Sequence, residues 1–102
     1  MSMKVEKFVV APEMLACLDD EGVKYAVEIE LPGVSKGDIT LTMDEDVIHV
    51  LADRDDMQYH GHLHFPYKVN PKKAKAKFTS GLLKVTIPLK EKRIPPMKIE
   101  IE

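Results

Sequence analysis

Val23-Lys24-Tyr25-Ala26-Val27-Glu28-Ile29-Glu30-Leu31 puts an apolar or aromatic side chain at every odd position, while Lys24, Glu28 and Glu30 fall at even ones. Successive side chains of an extended strand point to opposite faces, so this period of two describes a strand with one face buried and one in water. Pro32-Gly33 ends it, because proline has no N–H for a ladder and glycine accepts turn dihedrals. The same signal repeats downstream. Ile39, Leu41 and Met43 alternate with Thr40 and Thr42, and Asp44-Glu45-Asp46 turns the chain into a strand over Val47–Ala52. A charged loop, Asp53 to Gln58, leads to a strand with Tyr59, Leu63, Phe65, Tyr67 and Val69 on one face, broken by Asn70-Pro71. Ala74, Ala76 and Phe78 alternate with Lys73, Lys75 and Lys77. Thr79-Ser80-Gly81 then turns into Leu83, Val85 and Ile87, and Pro88 stops the last core strand. A further strand is expected within Glu13 to Leu18. Seven or so short strands, tight turns and no helical period predict an all-β, antiparallel immunoglobulin-like β-sandwich, with a small barrel as the alternative.

With 102 residues the chain is sized for one domain. The pattern divides it into a short arm over 1–12, a sandwich over 13–88, and a linker with an alternating tail over 89–102. At 44% hydrophobic and 31% charged residues the composition is that of a folded domain. A net charge of -2 supplies no overall field toward nucleic acid or an acidic membrane. The one cysteine, Cys17, allows no internal disulfide and suits a reducing compartment; with Leu15 and Leu18 beside it, it is expected to be a small buried thiol. Lys4, Glu6 and Lys7 interrupt the apolar residues at the start, so no signal peptide is read there, and no run is long enough to span a bilayer. A cytoplasmic location is expected.

Four segments resemble the α-crystallin domain of small heat-shock proteins. Val27-Glu-Ile-Glu-Leu-Pro-Gly-Val34 with Asp38-Ile39 is similar to the start of that domain. Phe65-Pro66, with Val69 three positions beyond the proline, is similar to the family's Leu-Pro turn. Ala76-Lys-Phe-Thr-Ser-Gly81-Leu-Leu83-Lys-Val85 is similar to its Ala-x-x-x-Asn-Gly-x-Leu-x-Val hairpin, and Ile99-Glu100-Ile101 to its Ile-x-Ile tail. Each motif alone is unspecific, but four in this order and spacing are specific. The resemblance implies an ATP-independent holdase that binds partly unfolded client proteins and associates with copies of itself. It also implies a groove for the tail, here between Ile39–Met43 and Ala74–Phe78, with Leu41, Met43, Ala74 and Ala76 as its lining. Two alanines leave a slot that an isoleucine fits. Burying Ile99 and Ile101 gains roughly 3–6 kcal/mol, and ordering the linker and tail offsets much of that. Single contacts are therefore expected to be weak and assembly to rest on several. The competing reading is that the tail pairs with an edge of its own domain.

The chain departs from the family in two places. The long loop with a strand exchanged between subunits is reduced to the few residues after Ala52, and the family's long N-terminal region to Met1–Pro12. The short loop suits a non-enzymatic co-chaperone or adaptor domain bound to a dedicated partner, the alternative function, whereas the Ile-x-Ile tail suits the holdase.

The residues themselves require a positive φ at Gly81, which only glycine adopts without strain. His60, His62 and His64 share one strand face, a spacing in which two imidazoles can share an ion. Without a complete ligand set they read as a solvated face, as does His49, and no metal or cofactor is expected. No nucleophile, paired carboxylates or glycine-rich phosphate loop marks an enzyme or nucleotide site. Lys72, Lys73, Lys75 and Lys77 form a basic stripe without interleaved aromatics, so no nucleic-acid partner is expected. Lysines there instead guard an edge strand.

Overall fold

The computed structural model describes residues 7–91 and 97–102. Its strands are β1 (Phe8–Val10), β2 (Met14–Leu18), β3 (Lys24–Glu30), β4 (Ile39–Met43), β5 (Val47–Arg54), β6 (Met57–His64), β7 (Lys75–Thr79) and β8 (Leu82–Pro88). Two three-residue 3-10 turns, Lys36–Asp38 and Pro71–Lys73, lead into β4 and β7. The strands form two four-stranded sheets, ordered β1-β6-β5-β4 and β2-β3-β8-β7. This is the predicted sandwich.

The core lies where the period of two places it. Tyr25, Val27 and Ile29 of β3 are buried, and so are Leu83, Val85 and Ile87 of β8. They face Ile48, Val50 and Ala52 of β5 and Tyr59 of β6. Tyr25 and Phe65 meet with ring centroids 5.0 Å apart, a separation suited to tilted aromatic packing. No buried polar or charged side chain occurs among the described residues, so apolar burial carries the core.

Turn chemistry sets the register. The β7–β8 hairpin closes on Ser80-Gly81, with φ of 50° and 81°, between the paired residues Thr79 and Leu82. Two positive φ values in a two-residue loop match the right-handed twist of the strands, so Gly81 has its predicted conformation. Before β5, the Asp44 carboxylate accepts the N–H groups of Asp46 at 2.8 Å and Val47 at 2.9 Å. Those hydrogen bonds to the ionised form hold its pKa below the usual carboxylate value.

Several details differ from the sequence reading. The arm contains β1, which pairs in parallel with β6 from Phe8↔Met57 to Val10↔Tyr59, so that sheet is mixed. Residues 1–6 of the arm lie outside the described residues. The loop expected over Asp53–Gln58 shrinks to Asp55-Asp56, because Arg54 and Met57 already pair; Asp55 takes a φ of 46° there. The strand expected to run to Val69 stops at His64, since Pro66 cannot extend it. Phe65 and Val69 are buried nonetheless, their N–H groups donating to Asp46 and Glu45 carbonyls. Cys17 is exposed rather than buried. It shares the outward parity of Leu15 on the edge strand β2, while Met14, Ala16 and Leu18 face the core. Past Pro88, Leu89 is buried and its N–H donates to the Val23 carbonyl at 2.8 Å. Residues 92–96 of the expected linker lie outside the described residues.

Candidate binding groove

β4 and β7 each end one sheet, opposite β1 and β2 at the other ends, and each has a neighbour on one side only. Each strand therefore presents a row of backbone N–H and C=O groups without ladder partners. Between these edges runs an open groove of about 180 Å³. Leu41 and Met43 of β4 line one wall, and Ala74 and Ala76 the other. The structure thus brings all four predicted groove residues together. Leu41, Met43 and Ala74 are half-buried and Ala76 is exposed, so the wall of small side chains stands open to solvent. Ala74 is placed by the Pro71–Lys73 turn, in which Asn70 Oδ1 accepts the Lys72 N–H at 3.2 Å. Proline at the first position pre-sets that turn.

Sequence reasoning missed Val85 as the groove's floor and Lys75 as part of its rim. Val85 was within reach, because the hairpin about Gly81 sets Ala76 opposite Val85.

The tail lies apart from the groove. Ile99 is 78% exposed and Ile101 95%, and residues 97–102 belong to no strand. Among the described residues, no hydrogen bond ties them to the domain.

The histidines form a more compact group than expected. His49 pairs directly with His62 across β5 and β6, ring centroids 5.8 Å apart, and His62 meets His64 edge-on at 5.6 Å. All are exposed, and among the described residues no three His, Cys, Asp or Glu side chains are arranged to hold a metal.

The β6 edge, unlike those of β4 and β7, is filled by the chain itself. The Phe8 N–H donates to the Asp56 carbonyl at 2.9 Å, and Lys7 Nζ reaches Asp53 Oδ1 at 2.9 Å. The Lys7 contact, joined by Gln58, holds the Asp53 carboxyl below its ordinary pKa. Gly61 allows the close approach: a Cβ there would lie 2.9 Å from both Pro12 Cδ and Met14 Sδ.

A family model described as the PIH1 CS-like domain matches residues 3–90. The chain belongs to the PIH1 CS-like domain family. Among curated proteins this PIH1 CS-like chain is 27% identical to small heat shock protein C2 of Rickettsia felis, covering 76% of this chain and 60% of that protein. It therefore spans about three-fifths of that relative's length. Among solved structures, heat shock protein 16.0 from Schizosaccharomyces pombe superimposes with a TM-score of 0.73 at 22% identity, over 91% of this chain and 99% of that one. A small heat-shock protein from Xylella fastidiosa gives 0.65 at 17% identity, over 91% and 97%. The PIH1 CS-like domain thus has the α-crystallin-type sandwich, a fold it shares with these small heat-shock proteins.

Proposed function

We propose that this domain is an ATP-independent, non-enzymatic chaperone that holds partly unfolded proteins and keeps them from aggregating. The observation that carries this reading is the apolar groove between two unpaired edges. An unfolding client exposes extended apolar segments with unsatisfied backbone groups. Edge strands supply hydrogen bonds to such a segment and the pocketed wall takes its alternate side chains. The relationship to small heat-shock proteins supports the same reading. Ile99 and Ile101 of a second copy offer the groove a segment of matching pattern, so self-association competes with client for one site. The test is light scattering of a heat- or reductant-unfolded client without nucleotide. Suppression at a several-fold molar excess is expected, and unchanged scattering overturns the reading.

One observation favours a second reading, an adaptor with a single dedicated partner. Asp55-Asp56 is a two-residue connection with no strand to exchange, and the β6 edge beside it already carries β1. An adaptor would leave client scattering unchanged and remain monomeric as its concentration is raised.

A further inference from the structure

Lys72, Lys73, Lys75 and Lys77 flank Ala74 and Ala76 along the groove wall, all exposed. None of them makes an ion pair among the described residues. Lys77 also stands directly opposite Lys84 in the β7–β8 register, and like charges facing each other across strands are unfavourable. The positive margin thus lacks a counter-charge, and it adjoins an unpaired edge.

We propose that this margin selects which strand enters the groove: an acidic, isoleucine-bearing segment, supplied by residues 97–102 of a second copy of the chain. The inference rests on the tail-in-groove reading and adds the charge rule that governs it. Strand parity sets the rule. Ala74 and Ala76 face the groove, and Lys73, Lys75 and Lys77 hold the alternate positions of the opposite side, the long Lys75 side chain also reaching the groove's rim. A tail strand laid along β7 with Ile99 and Ile101 in the groove turns Lys98, Glu100 and Glu102 to that opposite side. Glu100 and Glu102 then lie beside the lysines at cross-strand distance, roughly 4.5–5.5 Å between Cβ atoms for directly opposed residues. Lys98 falls at the linker end of the segment. The two glutamates alternate with the two isoleucines, so one register satisfies both groove and margin, and a shift by one residue loses both.

The rule also separates this occupant from others. A segment with the same isoleucines but lysines between them meets repulsion. Specificity then comes from penalising the wrong strand as well as from attracting the right one.

The test uses the full chain and sedimentation across concentration at low salt. Lys75→Glu with Lys77→Glu is expected to raise the midpoint of self-association about tenfold, and Glu100→Lys with Glu102→Lys to do the same. A chain carrying all four substitutions is expected to return to within about threefold of the parent, because the pairing is restored with signs exchanged. The exposed positions leave melting unchanged. Ile99→Ala with Ile101→Ala is the control for the underlying reading. If the isoleucine pair abolishes assembly while both charge reversals leave it intact, the charge rule is overturned and the tail reading stands. Failure of the fourfold variant to recover also overturns the charge rule. Assembly indifferent to the isoleucines, or a parent monomeric at every concentration, overturns both.

Discussion

The two ends of this chain carry similar apolar segments and meet different fates. Phe8-Val9-Val10 and Met97-x-Ile99-x-Ile101 are both strongly exposed, with Phe8 at 71% and Ile99 at 78%. Yet the first is a strand on β6, and the second belongs to no strand. Burial of side chains does not separate them, since all three residues of β1 are exposed. Backbone pairing and anchoring do. The arm has Lys7 on Asp53, the Phe8 N–H on Asp56 and Pro12 over Gly61, while the tail has no hydrogen bond to the domain among the described residues. A segment tethered beside β6 thus covers its edge as β1, while β4 and β7 carry no such segment among the described residues.

The largest effect on that contrast is expected at the open side. Gly81→Val forces a β-branched residue to a φ of +81° with its Cβ 3.2 Å from Pro32 Cα. The conformation alone costs about 1–3 kcal/mol, and because the turn sets β7, client or tail binding should fall together with the melting temperature. A melt equal to the parent's would show that the groove wall does not depend on this turn. Gly61→Val acts on the closed side, where the new Cβ meets the rigid ring of Pro12 and the mobile end of Met14. A loss of about 1 kcal/mol is expected, the low end of overpacking, with faster proteolysis near Phe8. Unchanged protection there would mean that β1 is not held through Gly61. Ile99→Ala with Ile101→Ala should leave the melt within about 0.5 kcal/mol while assemblies shrink in light scattering; an earlier melt at constant size would place the tail on its own domain. The smallest effect comes from acid. Asp53 has a folded pKa below the ordinary carboxylate value, first because of Lys7 and then Gln58. Its contribution is therefore complete above that value and is lost as pH falls through the lower folded one. The protection factor of the Phe8 amide, its exchange rate taken against the intrinsic rate at each pH, should fall from pH 5 to pH 3, and Asp53→Asn should remove the difference.

Much of the sandwich could be read from the sequence because a half-buried strand writes its burial into alternate letters. Val23 to Leu31 and Leu83 to Ile87 have one face in the core, so their parity is their structure. β1 was illegible for the converse reason: neither face of Phe8-Val9-Val10 is buried, and three contiguous apolar residues carry no period. Cys17 shows how parity is lost through composition, since Leu15 and Leu18 suggested burial although they point to opposite faces. Asp55-Asp56 was hidden because charged residues at a strand end look the same as a loop. The groove was legible in Leu41, Met43, Ala74 and Ala76, whereas Val85 required the hairpin register and Lys75 looked only like a solvated charge.

The pairing of β3 with β8 has a consequence in time. Lys24 pairs with Pro88 and Glu30 with Leu82, so the centre of one sheet joins residues separated by about half the chain or more. The β4–β5 and β5–β6 pairs, by contrast, join sequence neighbours. Loop closure makes the distant pairing the slow step, and folds dominated by such contacts form in roughly milliseconds to seconds. Until it closes, the meander of β4, β5 and β6 stands with Ile48, Val50 and Ala52 uncovered. Each newly made copy therefore passes through an interval in which the apolar face of this meander is open to association.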